Sequence, residues 1–369
     1  MDTKDLEIET EISLAYVGTQ EACKLVTFSN QYFHRFMPYW LIALKIHIRR
    51  MKNMSEFKPF AERVSQLYIM HPRIKRIHKV FDSIRIHRKL GNGKNSPRNA
   101  FIIGGSGTGK TLLTKGYAEM HPGHTYVDSE ENEYDIRPVV YMELPNPFTL
   151  QEFYQTIIDS LGAPRLPGKQ TTGDLKKQAF KLIMDQGVEM LIMDEMNHIL
   201  TSRHVKQEEA MDAIKYLGNI TKISLVCVGT PEAGKLRKLS NQYFRRYVPV
   251  FINRFESCDK EFCDFLNEIE QQIAPPSPLF LGDISQGFPQ LLFKLSRGLV
   301  GILTPIIQEA YSLLGLFDED ISNLMNVNLT VDLIIQAYDN IIGDLDQKEL
   351  DEILLTQDEK SKKPEQVIA

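Results

Sequence analysis

Ala100-Phe101-Ile102-Ile103-Gly104-Gly105-Ser106-Gly107-Thr108-Gly109-Lys110-Thr111 decides how the rest of the chain reads. A short apolar run ends on glycines, and a helix-forming stretch follows from Lys110. The segment fits G-x-x-x-x-G-K-[ST] in full, with strand, loop and helix in the required order. Glycine lets successive backbone N–H groups curl around a phosphate with no Cβ in the way. The helix that follows turns its positive end towards the anion. In this pattern Gly104, Gly105, Ser106, Gly107, Thr108 and Gly109 form the cradle. Lys110 reaches the β- and γ-phosphates, and Thr111 offers a hydroxyl oxygen to Mg2+.

Eighty residues on, Met190-Leu191-Ile192-Met193 is an apolar strand closed by Asp194-Glu195. Beside a phosphate loop, Asp194 suits a water-mediated hold on Mg2+, and Glu195 suits a general base that polarises the attacking water. Paired acids at a strand end also suit a cap for the next helix. A further apolar strand, Ile223–Val228, ends in Gly229-Thr230, where a small hydroxyl can meet the γ-phosphate or the water. Arg245 and Arg246 stand just before the strand Val248–Ile252, placed to reach into a neighbouring subunit's nucleotide site and stabilise transition-state charge. Both arginines also read as ordinary surface residues. The motif pair makes nucleotide hydrolysis the leading chemistry.

Working outward, Pro138–Leu144 reads as another strand, and Leu150–Leu161 and Leu175–Met184 read as helices. Strands alternating with helices predict an α/β fold with a parallel five-stranded sheet covered on both faces. Upstream, residues 57–90 show helical spacing broken at His71-Pro72, and GNGKNSP (91–97) is a turn-rich linker. Beyond the break at 274–278 the pattern is helical, with Gln290–Leu314 and roughly 330–342 as helices. The expected organisation is an N-terminal extension (1–56), a basic helical part (57–98), a nucleotide-binding core (99–273), a helical lid (274–345) and a polar acidic tail (346–369).

The whole chain has 369 residues, is 43% hydrophobic and 25% charged, and carries a formal net charge of −5. These values exclude a wholly disordered chain or a fibre. No apolar run reaches the roughly 18 residues of a membrane helix. The acidic opening MDTKDLEIETE is not a secretory signal, and four scattered Cys with no zinc spacing fit a reducing compartment, so the expected location is cytoplasmic. The average charge hides a polarity. Residues 41–98 hold 15 basic and 3 acidic side chains, whereas 317–369 hold 4 basic and 13 acidic. That distribution suits a basic surface for a phosphate backbone, or simply a solvated helix face at each end.

The phosphate loop, Asp194-Glu195, Thr230 and a late Arg together resemble the AAA+ ATPases. HPRIKRIHKVFDSI (71–84), MLIMDEMNHIL (190–200), VGTPEA (228–233) and Arg246-Tyr247-Val248-Pro249 narrow this to the TniB/TnsC family of transposition regulators. The resemblance spans roughly 57–315. It implies an ATP-dependent, Mg2+-requiring adaptor that forms a homo-oligomeric ring or helical filament on duplex DNA without reading sequence. Such an adaptor links a TniQ-like target selector to the transposase. Carried over, Lys110 and Thr111 bind phosphate and Mg2+, Asp194 supports Mg2+, Glu195 activates water, Thr230 senses the γ-phosphate, and Arg246, with Arg245 as rival, is the finger acting in trans. Backbone contacts to DNA fall on Lys169, Gln170, Thr171, Lys176 and Lys177. The lid departs from the family pattern, because Gln290 stands where many AAA+ lids carry an Arg, with Lys294 or Arg297 as possible substitutes. Two other readings stay open: an AAA+ NTPase acting on protein in signalling or as a chaperone, and a replication loader or insertion-sequence helper ATPase.

Residues 12–40 and 223–251 align without a gap, with 17 identities in 29 positions. Thr19 mirrors Thr230 and Arg35 mirrors Arg246, but no phosphate loop accompanies the N-terminal copy. It is therefore not a second ATPase site.

Overall fold

The computed structural model describes residues 60–90, 97–165, 168–275, 277–316 and 329–343. The chain divides into two units, residues 1–59 and 60–369, and the described residues all lie in the second. The duplicated segment at 12–40, the N-terminal extension and the acidic tail lie outside the described residues.

Five strands form one parallel sheet: β1 (Asn99–Ile103), β4 (Val139–Glu143), β5 (Met190–Asp194), β6 (Ser224–Gly229) and β7 (Tyr247–Phe251). Their order is β4-β5-β6-β1-β7. Strand β1, which feeds the phosphate loop, thus lies between β6 and β7, with only β6 separating it from β5. Alternation along the strands splits the core. Phe101, Ile103, Met142, Leu191, Met193, Leu225 and Cys227 face helices α4 (Leu150–Ser160), α5 (Thr172–Asp185) and α7 (Gln207–Thr221). Ala100, Ile102, Ile192, Val226 and Val228 face α2 (Pro72–Leu90) and α3 (Lys110–Glu119) through Ile77, Phe81, Leu113 and Tyr117. In β1, β5 and β6 both faces are dry, which is why these strands read as apolar runs rather than as alternating ones.

A third cluster belongs to the lid, formed by α9 (Lys260–Ile273), α10 (Phe288–Ser296), α11 (Val300–Leu313) and α12 (Val331–Ile342). Helix α9 places Phe262, Phe265, Leu266 and Ile269 in this cluster, so packing joins it to the lid rather than to the sheet, ahead of the expected boundary at 273/274. Short helix α1 (Phe60–Ser65) adds Val64 to the same cluster. The helix expected over 290–314 is two helices. Arg297 and Gly298 take φ of 53° and 73°, left-handed values that close α10 before α11 begins. A Cβ at Gly298 would lie 2.0 Å from the Phe255 carbonyl oxygen, so glycine is required there. One element was not expected from the pattern. Strands β2 (His124–Val127) and β3 (Glu133–Ile136) form an antiparallel, almost wholly exposed hairpin.

Several basic residues of α2 are committed to internal pairs. Arg73 clasps Glu261 of α9 through two nitrogens at 2.7 and 2.6 Å. Arg85 and Lys89 converge on Glu189, both at 2.8 Å. The charge excess of residues 41–98 therefore serves in part to fasten α2 to the sheet and the lid. Burial pushes the Glu189 carboxyl up, but the bonds from Lys89 and Arg85 outweigh it and hold the group below its usual range. Because its folded value is depressed, the pairing stabilises the protein above the unfolded carboxylate range and is lost as pH falls through the folded value. Glu189→Ala strands the largely buried Arg85 and is expected to cost about 3 kcal/mol in chemical denaturation at neutral pH. A loss below about 0.5 kcal/mol would show that the pairs contribute little.

Candidate functional site

The loop Gly104–Gly109 joins the buried strand β1 to α3, and Gly107 and Gly109 adopt φ of 73° and 87°. Gly104 is needed for another reason, since a Cβ there would meet the Ile252 carbonyl oxygen at 2.5 Å and Thr108 Oγ1 at 2.7 Å. Thr108 Oγ1 donates to the Gly105 carbonyl at 2.9 Å and tightens the turn. Lys110 Nζ donates to the same carbonyl at 2.7 Å. Burial pulls the Lys110 ammonium below the ordinary lysine range, and the charges of Asp194 and Glu195 offset this only in part. An anion in the loop would complete that compensation.

The two motifs meet. Thr111 Oγ1 donates to Asp194 Oδ2 at 2.7 Å, joining the start of α3 to the end of β5. Asp194 is buried, and its other oxygen accepts the Glu195 N–H at 2.8 Å. Tyr141 on the neighbouring strand β4 donates to Asp194 Oδ2 at 3.0 Å and lies 3.2 Å from Glu143 Oε1. Burial first, and then the Asp194 charge, push the Tyr141 phenol far up, so it remains a donor at any working pH. Tyr141 is a positioning residue that the sequence reading missed, and its signal is the polar interruption in an apolar strand.

Glu195 lies in the left-handed region at φ 56°, a costly setting for a residue with a Cβ. Its carboxylate meets Asn197, whose Nδ2 donates to Glu195 Oε2 at 3.3 Å. Asn197 Oδ1 in turn accepts from Thr230 N at 3.2 Å and Thr230 Oγ1 at 2.9 Å. Glu195, Asn197 and Thr230 thus form one chain across the ends of β5 and β6. The sequence reading named both ends of it and not Asn197, the link. Asn197→Ala frees the carboxylate and the threonine together. Turnover of nucleotide is expected to fall about tenfold with KM little changed, and unchanged turnover would assign Asn197 to packing alone.

A cleft of about 550 Å³ adjoins the loop, lined by residues including His71, Thr108, Gly109, Ile252, Phe255 and Val300. It lies between α2, the start of α3, the segment after β7 and the lid, and its walls are largely apolar, which suits the flat base of a nucleotide.

The remaining expected residues are dispersed. Arg246 Nη1 donates to Asn219 on α7 at 2.7 Å, while Arg245 is exposed. Both stand at the end of helix α8 (Asn241–Arg246) beside the exposed apolar side chains Phe244 and Val248. Thr171 caps α5: its hydroxyl accepts the Asp174 N–H at 3.2 Å and donates to Asp174 Oδ2 at 2.6 Å. Lys176 Nζ sits 4.0 Å from the centre of the Tyr216 ring. Lys169 and Lys177 are exposed and Gln170 is half-buried. Gln290 of the lid is also exposed, and its amide donates to the Ile284 carbonyl at 3.2 Å. The lid residue that reaches the phosphate loop is Gly301, whose N–H donates to the Gly107 carbonyl at 2.7 Å.

No helix among the described residues is long and apolar enough to cross a membrane. The family model described as "Bacterial TniB protein" matches residues 62–257, a span that holds the phosphate loop, the acid pair, Asn197, Thr230 and both arginines. Among solved structures, the chain is similar to the Aeropyrum pernix ORC2 protein in ADPNP–ADP complexes, with 16% identity and a TM-score of 0.54 over 79% of this chain and 74% of that one. It is also similar to the ADP form of that protein, with 16% identity and a TM-score of 0.52 over 84% and 80%. At such identity the likeness speaks for the fold. No curated protein sequence matches the chain.

Proposed function

This chain is an AAA+ ATPase of the bacterial TniB family, and on that premise we propose that it is an ATP-dependent regulator of transposition that assembles on target duplex DNA. In this reading the assembly links a TniQ-like target selector to the transposase. The observation that carries it is that one family match encloses the phosphate loop, the acid pair, Thr230 and both candidate arginines.

In the proposed reaction, water attacks the γ-phosphorus, the bond to the bridging oxygen breaks, and ADP and phosphate leave. The loop amides and Lys110 bind the phosphate oxygens. Glu195 accepts a proton from the water, and Thr230 orients the γ-phosphate side. Thr111 Oγ1 and Asp194 Oδ2, 2.7 Å apart, are hard oxygen donors that fit Mg2+ and would hold it. When bound, the ion neutralises charge on the phosphates. Tyr141 and the Glu195 amide keep Asp194 oriented for that role.

In this reading a neighbouring copy completes the site with an arginine. Of the two candidate arginines, Arg246 is held by Asn219, whereas Arg245 is exposed beside Phe244 and Val248, an apolar setting that suits a subunit contact. Arg245→Ala is expected to cut the turnover of the assembled protein by on the order of a hundredfold without changing ATP affinity. Arg246→Ala should chiefly loosen the α7–α8 packing. If Arg246→Ala alone abolishes turnover at unchanged thermal stability, the roles are reversed.

DNA binding in this reading is to the backbone and so is salt-dependent. Lys169 and Lys177 are exposed cations on the proposed face, with Gln170 between Lys169 and the helix cap Thr171. Fluorescence anisotropy with a duplex of arbitrary sequence tests this. Binding should need a slowly hydrolysed ATP analogue and weaken steeply with salt, and no binding at low salt would remove the DNA role.

A further inference from the structure

The lid touches the phosphate loop backbone to backbone. The first turn of α11 brings the Gly301 N–H to 2.7 Å from the Gly107 carbonyl oxygen. The approach tolerates no side chain, since a Cβ on Gly301 would lie 2.8 Å from Gly107 Cα and 2.9 Å from Gly107 O. The lid helix is aimed there by the turn before it. Gly298, at φ 73°, stacks on Phe255, whose N–H donates to the Gly298 carbonyl at 2.9 Å. Of the long polar lid side chains singled out in the sequence, Gln290 and Lys294 are exposed on α10, and Arg297 stands partly buried in the turn before α11.

We propose that Gly301 is the residue through which the lid positions the phosphate loop, so that lid closure and nucleotide binding are coupled by a single peptide hydrogen bond. The Gly107 carbonyl and the Thr108 N–H belong to one peptide group. A carbonyl that accepts a hydrogen bond polarises its peptide and makes the N–H on the other side a better donor. Gly301 thus strengthens the Thr108 amide, one of the consecutive amides of the cradle. Nucleotide and lid stabilise the same loop arrangement and therefore each other. This inference rests on the reading of the loop as a nucleotide site.

The test is Gly301→Ala, which adds one methyl group and favours the helix that carries it. Two readouts are taken: the dissociation constant of a fluorescent ATP analogue, and hydrogen exchange at the amides of 299–303 with and without nucleotide. Wild-type protein should bind the analogue and show slower exchange in that segment on binding. Gly301→Ala should bind about tenfold more weakly and lose the nucleotide-dependent protection, with circular dichroism and melting unchanged. Gln290→Ala, away from the contact, should match wild type in both. Wild-type affinity and protection in Gly301→Ala would overturn the proposal, and so would an equal loss in Gln290→Ala. If a melting shift shows that Gly301→Ala has not folded, the exchange of wild-type protein alone decides: protection at 301 that does not respond to nucleotide overturns it. Failure of wild-type protein to bind the analogue at all would instead remove the nucleotide reading on which it stands.

Discussion

Replacing Glu195 by Gln is expected to lower ATP turnover by roughly 10²- to 10⁴-fold while ATP binding persists. Glutamine keeps the shape of the side chain and its reach to Asn197 Nδ2, 3.3 Å away in the parent. It cannot take a proton. In the left-handed turn at position 195 the Glu195 N–H donates to Asp194, a bond that does not involve the Glu195 carboxylate. The substitution therefore removes one chemical function from an otherwise intact site. Because assembly in the proposed cycle depends on bound ATP and release on hydrolysis, Glu195→Gln should accumulate long-lived assemblies on DNA. Radiolabelled ATP hydrolysis and equilibrium nucleotide binding, measured side by side, check both halves. If turnover falls less than tenfold, another base carries the reaction.

Lys110→Ala should have the opposite signature and lose nucleotide first. Its ammonium is drawn into the loop, donating to the Gly105 carbonyl at 2.7 Å, and burial already disfavours its charge. A phosphate in the loop offers a stronger partner than a neutral carbonyl. Charge-assisted hydrogen bonds contribute about 1.5–3 kcal/mol each, so losing those to the β- and γ-phosphates should weaken ATP binding by on the order of 10²- to 10⁴-fold. The fold should survive, because the loop is shaped by Gly104, Gly107 and Gly109 and by Thr108 Oγ1, none of which needs the lysine. Calorimetric titration with ATP reads the affinity, and binding within threefold of wild type would contradict the assigned role. The pair of variants is informative together, since one should bind without turning over and the other should not bind.

Much of this site was legible in the chain because its chemistry is local. A phosphate cradle is built from consecutive amides, so eight neighbouring residues announce it. The acid pair is read from a strand end, and the parallel strands show as apolar runs, clearest in β1, β5 and β6, which are buried on both faces. What was not legible depends on distances between remote elements. Asn197 becomes a link only when β5 and β6 lie side by side and bring Thr230 to it. Gly301 looks like an ordinary helix glycine until Arg297 and Gly298 break the helix and turn it onto the loop. The exposed β2–β3 hairpin buries almost nothing and so leaves no hydrophobic period. The basic stretch was read as surface, yet Arg73, Arg85 and Lys89 find carboxylates up to 188 residues away in sequence. Thr171 shows the reverse lesson. Thr171 and Asp174 spell a helix cap in the sequence itself, and the hydroxyl assigned to DNA forms the cap.

The central claim is that nucleotide in this site drives assembly on DNA. Electron microscopy of the wild-type protein with duplex DNA and a slowly hydrolysed ATP analogue tests it most directly. Rings or regular filaments should form along the duplex with the analogue and dissolve when it is replaced by ADP, and Lys110→Ala should form none. Particles that stay monomeric on bare DNA with the analogue, or filaments that form equally well without nucleotide, would contradict it.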